Sequence, residues 1–170
     1  MVILGPDSAQ VRVYTYKEGL LSGVAHDLQI RVGTFEIRVD GDKIRADFDA
    51  GSLEVVAAMK KGSLDAGALK PSDKQEIARN IRDDVLHVAK FPSVRFESTR
   101  MDDTTLSGAL TLHGTTRDVK LALRDAPGRR IAEIRLDQRD YGIKPYTALL
   151  GALKVQPVLK VEVELPWPPR

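Results

Sequence analysis

The chain has 170 residues, 42% hydrophobic and 29% charged, a composition that supports one folded domain with a sizeable core and excludes a disordered polymer. Its 26 basic and 24 acidic residues are interspersed and leave a formal net charge of +2, so no basic run marks a nucleic-acid partner. Cysteine is absent, which removes disulfides, thiol catalysis and cysteine-based zinc sites.

In chain order, Met1-Val2-Ile3-Leu4 is cut short by Gly5-Pro6-Asp7 and lacks the basic and apolar regions of a signal peptide. No stretch approaches the roughly 18 apolar residues of a membrane span. The expectation from this reading is a cytoplasmic protein. Leu28, Ile30 and Val32 alternate with Gln29 and Arg31. Gly33-Thr34 reads as a bulge, after which Phe35, Ile37 and Val39 resume the inward set. Asp40-Gly41-Asp42-Lys43 is a hairpin turn, and Ile44, Ala46 and Phe48 lie on the return strand.

Residues 72–89 break this period. Ile77, Ile81 and Val85 or Leu86 recur at helical spacing, Ser72 is the candidate N-cap, and Lys90-Phe91-Pro92 stops the helix. Alternation then returns at Val94 and Phe96, at Leu106 to Leu112, at Val119 to Leu123 and at Ala132 to Leu136. Gly114-Thr115-Thr116 and Ala126-Pro127-Gly128-Arg129 are the connecting turns. The cleanest strand is Leu159-Lys160-Val161-Glu162-Val163-Glu164-Leu165, apolar and charged in strict turn. Pro166 to Arg170 reads as an extended terminus. Eight or nine strands with short connections predict a single all-β domain over 1–170, an antiparallel meander closed into a barrel with one helical excursion.

Motifs for chemistry are sparse. His26, His87 and His113 show no metal-ligand spacing. His26 and Asp27 are adjacent, so on a strand they point to opposite faces and make a poor dyad. There is no phosphate-binding glycine loop, no dinucleotide fingerprint and no nucleophile elbow. Asp83-Asp84 and Asp102-Asp103 read as solvated carboxylates, and Lys60, Lys61, Arg79 and Arg82 as a solvated face. The expectation is no catalytic residue, no metal and no cofactor.

A set of motifs in fixed order carries a family resemblance. Lys90-Phe91-Pro92-Ser93-Val94-Arg95-Phe96-Glu97-Ser98 is similar to the KFP-x-I-x-F-x-S segment of YceI-like proteins. Gly108-Ala109-Leu110-Thr111-Leu112-His113-Gly114-Thr115-Thr116-Arg117-Asp118-Val119 resembles their G-x-L-T-I-x-G-x-T-K-x-V strand pair. Asp137 to Ile143 resembles their RxDFGI motif, and His26 stands where the family usually has a histidine after the first strand. The resemblance runs from about residue 11 to residue 165. It implies an eight-stranded, lipocalin-like antiparallel barrel that holds a long polyisoprenoid or similar fatty ligand.

On that reading the expected lining comprises Val13, Ile30 and Phe35 from the first half of the chain, with Phe48 on the return strand. Phe96, Leu110, Leu112, Leu121 and Ile134 complete it. Two alternatives stay open. A barrel filled by its own side chains shows the same alternation as a hollow one, and would serve as a non-catalytic interaction or stress-response module. A weaker one is a hydrolase or isomerase acting on a bound lipid through His26 or His113. A homodimer is also left open.

Overall fold

The computed structural model describes residues 1–18, 26–148, 151 and 153–169. Among the described residues the chain forms fifteen strands and one principal helix. The first eight strands are β1 (Val2–Leu4), β2 (Gln10–Thr15), β3 (Lys17–Glu18), β4 (Asp27–Val32), β5 (Phe35–Asp40), β6 (Lys43–Asp49), β7 (Leu53–Lys60) and β8 (Ser63–Asp65). After α1 (Pro71–Asn80) come β9 (Ser93–Met101), β10 (Thr105–Leu112), β11 (Thr115–Ala126), β12 (Arg129–Asp137), β13 (Thr147–Ala148), β14 (Leu153–Val155) and β15 (Val158–Pro166).

Twelve of these strands form one curled sheet in the order β1-β5-β6-β9-β10-β11-β12-β15-β2-β4-β7-β8, and β13-β14-β3 form a small second sheet. Every pairing is antiparallel. The hydrogen-bonded order is open, with β1 at one end and β8 at the other. It is therefore not the simple ring of eight strands that alternation predicts.

The higher count comes from long strands that bend. β4 and β5 are separated only by Gly33-Thr34, and β6 and β7 only by the 3-10 turn Ala50–Ser52. At this bend the Gly33 N–H donates to the Ser52 carbonyl and the Asp49 N–H to the Thr34 carbonyl, both at 3.0 Å. A Cβ on Gly33 would stand 3.0 Å from the Ser52 carbonyl oxygen, so the bulge needs a residue without one.

The turns follow local chemistry. His113 and Gly114, between β10 and β11, both have positive φ (52° and 74°), the signature of a two-residue hairpin whose twist matches its strands. Pro127-Gly128 joins β11 to β12, with Gly128 at φ 70°. Before β10, the Asp102 carboxylate accepts from the Thr104 and Thr105 N–H groups, each at 2.9 Å, and from both threonine hydroxyls. The Thr104 backbone bond, followed by the Thr105 hydroxyl, pulls the Asp102 pKa from 3.8 to about 2. A depressed carboxylate pKa stabilises the fold fully above about pH 4, and that contribution disappears as pH falls toward about 2. Urea midpoints measured down this range should fall less in Asp102→Asn than in the wild type; equal slopes would contradict this account of the turn.

The helix differs from its sequence prediction at both ends. It starts at Pro71, with Lys70 rather than Ser72 as N-cap. Proline at the first helical position needs no N–H partner, and the Asp73 carboxylate takes the Lys70 N–H at 2.9 Å. After Asn80 the chain makes a π turn, Ile81–Val85, in which the Leu86 N–H reaches the Ile81 carbonyl at 2.8 Å. His87 at φ 48° ends it, so residues 87–89 are not helical.

Two apolar clusters form the core. The larger gathers inward residues of most strands, including Phe35, Ile37, Phe96, Leu110 and Leu165. The smaller sits under the helix, where Ala78 packs with Leu28, Ile30, Leu53 and Val55. The C-terminal segment is not a free extension. The Trp167 N–H donates to the Gly128 carbonyl at 3.0 Å, and the Arg130 guanidinium lies 4.2 Å from the centre of the Trp167 ring. Arg170 lies outside the described residues.

Candidate functional site: an apolar lumen under the helix

Strand register defines an axis through the interior. On β12 and β15 the inward pairs are Leu136 with Leu159, Ile134 with Val161, Ala132 with Val163 and Arg130 with Leu165. Moving from residue 159 to residue 167 therefore runs from the helix side of the sheet to its opposite end.

A cavity of about 590 Å³ occupies the helix side. Its floor is sheet: Val13, Leu28 and Ile30 from β2 and β4, Leu112 and Leu136 from β10 and β12, and Leu159 and Val161 from β15. Its roof is the helical segment, which contributes Ile77, Ile81, Val85 and Leu86. The π turn has a use here. One extra residue per turn brings Ile81 and Leu86 onto the same face, so both reach the cavity.

Further along the axis a second cavity of about 130 Å³ is lined by Phe48, Phe96, Leu110, Leu121, Ile134 and neighbouring aliphatic groups. Leu136 and Val161 line both cavities, so the two spaces are neighbours along this axis. Arg130 and Trp167 stand at the far end of the second cavity. The Arg130 guanidinium is held by both oxygens of Asp125, at 2.6 and 3.0 Å, and in return holds the Asp125 carboxyl below its ordinary pKa.

Polar groups gather at the helix end. Asn80 donates to the Tyr146 hydroxyl at 3.3 Å, and the buried Gln138 donates to the Gln156 carbonyl at 3.1 Å. Exposed His26, Glu76 and Lys154 mark where the first cavity reaches solvent. The first cavity thus has polar groups at its mouth and mostly aliphatic walls.

The nine residues expected to line a ligand divide between these spaces. Val13, Ile30 and Leu112 line the first cavity. Phe48, Phe96, Leu110, Leu121 and Ile134 line the second. Phe35 lines neither: its ring is buried 6.2 Å from that of Phe48, in filled core. The helical roof and the mouth residues Asn80, Gln138 and Tyr146 went unassigned. The apolar spacing Ile77, Ile81, Val85 was the available signal, because an amphipathic face must bury against something.

The histidines do not assemble a reaction centre. Asp27 accepts the Lys17 N–H at 2.8 Å, while His26 faces the mouth. His113 shares its Nδ1 with the Tyr141 carbonyl at 3.2 Å and lies 5.6 Å from His87, ring centre to ring centre. Among the described residues, no group of three or more His, Cys, Asp or Glu is placed to hold a metal ion. Nor is any helix among them long and apolar enough to cross a membrane.

These features define a lipocalin-like class of protein, a curled antiparallel β fold with an apolar interior and one helical insertion over its mouth. The chain belongs to the YceI-like family: the model of the YceI-like domain matches residues 6–166. Among solved structures, the chain resembles a polyisoprenoid-binding domain from Saccharophagus degradans implicated in plant cell wall breakdown, with a TM-score of 0.60 at 14% identity over 97% of each chain. It is also similar to BcnA of Burkholderia cenocepacia, with a TM-score of 0.60 at 11% identity over 92% of this chain and 94% of that one. The Campylobacter jejuni YceI protein aligns with a TM-score of 0.53 at 14% identity over 81% of this chain and 83% of that one. At such identities the likeness concerns the fold. No curated protein matches the chain in sequence.

Proposed function

We propose that this protein binds the long apolar tail of a lipid, of polyisoprenoid or related fatty type, along the inside of its curled sheet and releases it unchanged. One observation carries the reading. The interior under the helix holds a mostly apolar cavity of about 590 Å³, within the roughly 300–1,000 Å³ usual for small-molecule sites. Such a volume favours the container over a barrel filled by its own side chains. The name of the Saccharophagus domain supports the isoprenoid class.

The reading also includes barrel closure. β4 continues into β5 and β6 into β7 through short bends, which supports this part of the reading.

A tail without polar atoms gains affinity by burial alone, at about 0.8 kcal/mol per CH₂ before ordering costs. Native mass spectrometry of the protein incubated with a long polyprenol should show a one-to-one complex. His26→Ala and His113→Ala, each checked for folding by circular dichroism, are expected to keep that complex. Its loss in a folded histidine variant would assign binding to a polar contact instead, and a wild type that takes up no tail would sink the proposal.

A further inference from the structure

Arg130 and Trp167 stand together at one end of the second cavity. Arg130 points inward on β12, where its inward neighbours Ala132, Ile134 and Leu136 are apolar. An arginine at the end of an apolar space is costly unless its charge is paired. Here it is paired, with Asp125 on one side and the Trp167 ring on the other. Its side chain is only 12% exposed. Trp167 is in turn fixed through its backbone to Gly128 in the turn before β12. Trp167, just after β15, is therefore tied at both backbone and side chain beside the second cavity.

We propose that the Arg130–Trp167 stack, anchored by Asp125, is a length gauge that sets the longest tail the lumen accepts. This rests on the tail-binding reading above. The path from mouth to stop follows β15 from Leu159 to Trp167, about 26 Å of extended strand. Along it Leu136 and Val161 are the two side chains that line both cavities. A short tail fills the first cavity. A longer one passes between these two side chains, enters the second cavity and meets the stack. Beyond that point each added unit stays in water and adds nothing to affinity.

The gauge can be moved in both directions. Trp167→Ala removes the ring from the far end, and the limit should shift to longer chains. Ala132→Phe places a ring into the second cavity from β12, and the limit should shift to shorter chains. The second variant leaves the C-terminal clamp untouched, so it remains informative if the first does not fold. The measurement is affinity for a series of all-trans prenyl alcohols of increasing length. In the wild type, affinity should rise with each isoprene unit and then level off. The length at which it levels should increase by at least one unit in Trp167→Ala and decrease by at least one in Ala132→Phe. Short chains should bind Ala132→Phe as they bind the wild type. A plateau at the same length in wild type and folded variants would overturn the gauge while leaving tail binding intact. A wild type that binds no member of the series would overturn the binding reading and the gauge together.

Discussion

Val161→Asp is expected to abolish tail binding while leaving a folded protein. Val161 pairs with Ile134 and Val13 on the neighbouring strands and lines both cavities, so a carboxylate there would face a tail in either one. The nearest inward cation on β12, Arg130, lies opposite Leu165, four residues further along β15 and so about 13 Å away. It is already committed to Asp125. An ionised carboxylate at position 161 thus has no partner. In the empty protein the cavity admits water, which limits the folding cost to about 1–3 kcal/mol. A bound tail expels that water, and leaving the carboxylate dry costs several kcal/mol, a loss of at least about a hundredfold in affinity. The sign of the pH effect follows. Burial against a tail raises the carboxyl pKa, so binding should recover in part as pH falls. Titration with a polyprenol at neutral and mildly acidic pH reads both effects. Unchanged affinity in a folded Val161→Asp protein would place the ligand elsewhere.

Phe96→Ala should cost about 3–5 kcal/mol of stability, the largest loss expected from a single truncation in the core. Phe96 is 7% exposed and faces Leu110 across the strand pair. Its ring lies over Gly108: a Cβ there would meet the ring at 2.6 Å and the Glu97 carbonyl at 2.4 Å. Glycine at 108 is what lets an aromatic ring lie flat against β10. Removing the ring enlarges the second cavity, and strands fixed by hydrogen bonds on both sides cannot collapse into it. The partner change, Gly108→Ala, pushes against backbone as well as ring and should cost about 1–3 kcal/mol or more. Urea unfolding of both variants checks this. A loss below about 1 kcal/mol in Phe96→Ala would mean that the ring is not part of a packed core. Tail binding should survive in Phe96→Ala, since the lumen becomes wider and stays apolar.

Strand faces were legible in the chain wherever one side is wet. Leu159 to Leu165 alternates with charge, and the structure turns those apolar residues inward with Lys160 and Glu162 ion-paired on the other face. The Gly33-Thr34 bulge, the glycine turns and the helical interruption were equally readable, because each depends on local backbone chemistry. The motif order from Lys90 to Ile143 was enough to point to the family that the matched domain establishes. Strand β7 was less legible: Leu53 to Lys60 contains Val-Val-Ala-Ala-Met, whose small apolar run lacks a clean period because Gln29 pairs with Ala57 and Ile30 with Val55, leaving Val56 as an extra residue in the strand. The helix start was misplaced by choosing the side chain Ser72 as cap, where Pro71 and the Asp73 bond to Lys70 decide the first turn.

What the sequence determined by itself is therefore the class of fold, the side of the alternating strands that turns inward and the apolar character of that side. Period-two alternation dictates these whatever lies inside. It does not dictate volume. Whether inward side chains meet across the middle depends on how far apart bent, tilted strands are held, a property of the whole sheet that no single segment carries. Only the tertiary structure decided that the interior is hollow near the helix and narrow beyond Val161, that Phe35 is core and Phe48 lining, and that Trp167 folds back onto Arg130. Each of these joins residues far apart in sequence, and contacts of that kind are set by packing, to which local pattern is blind.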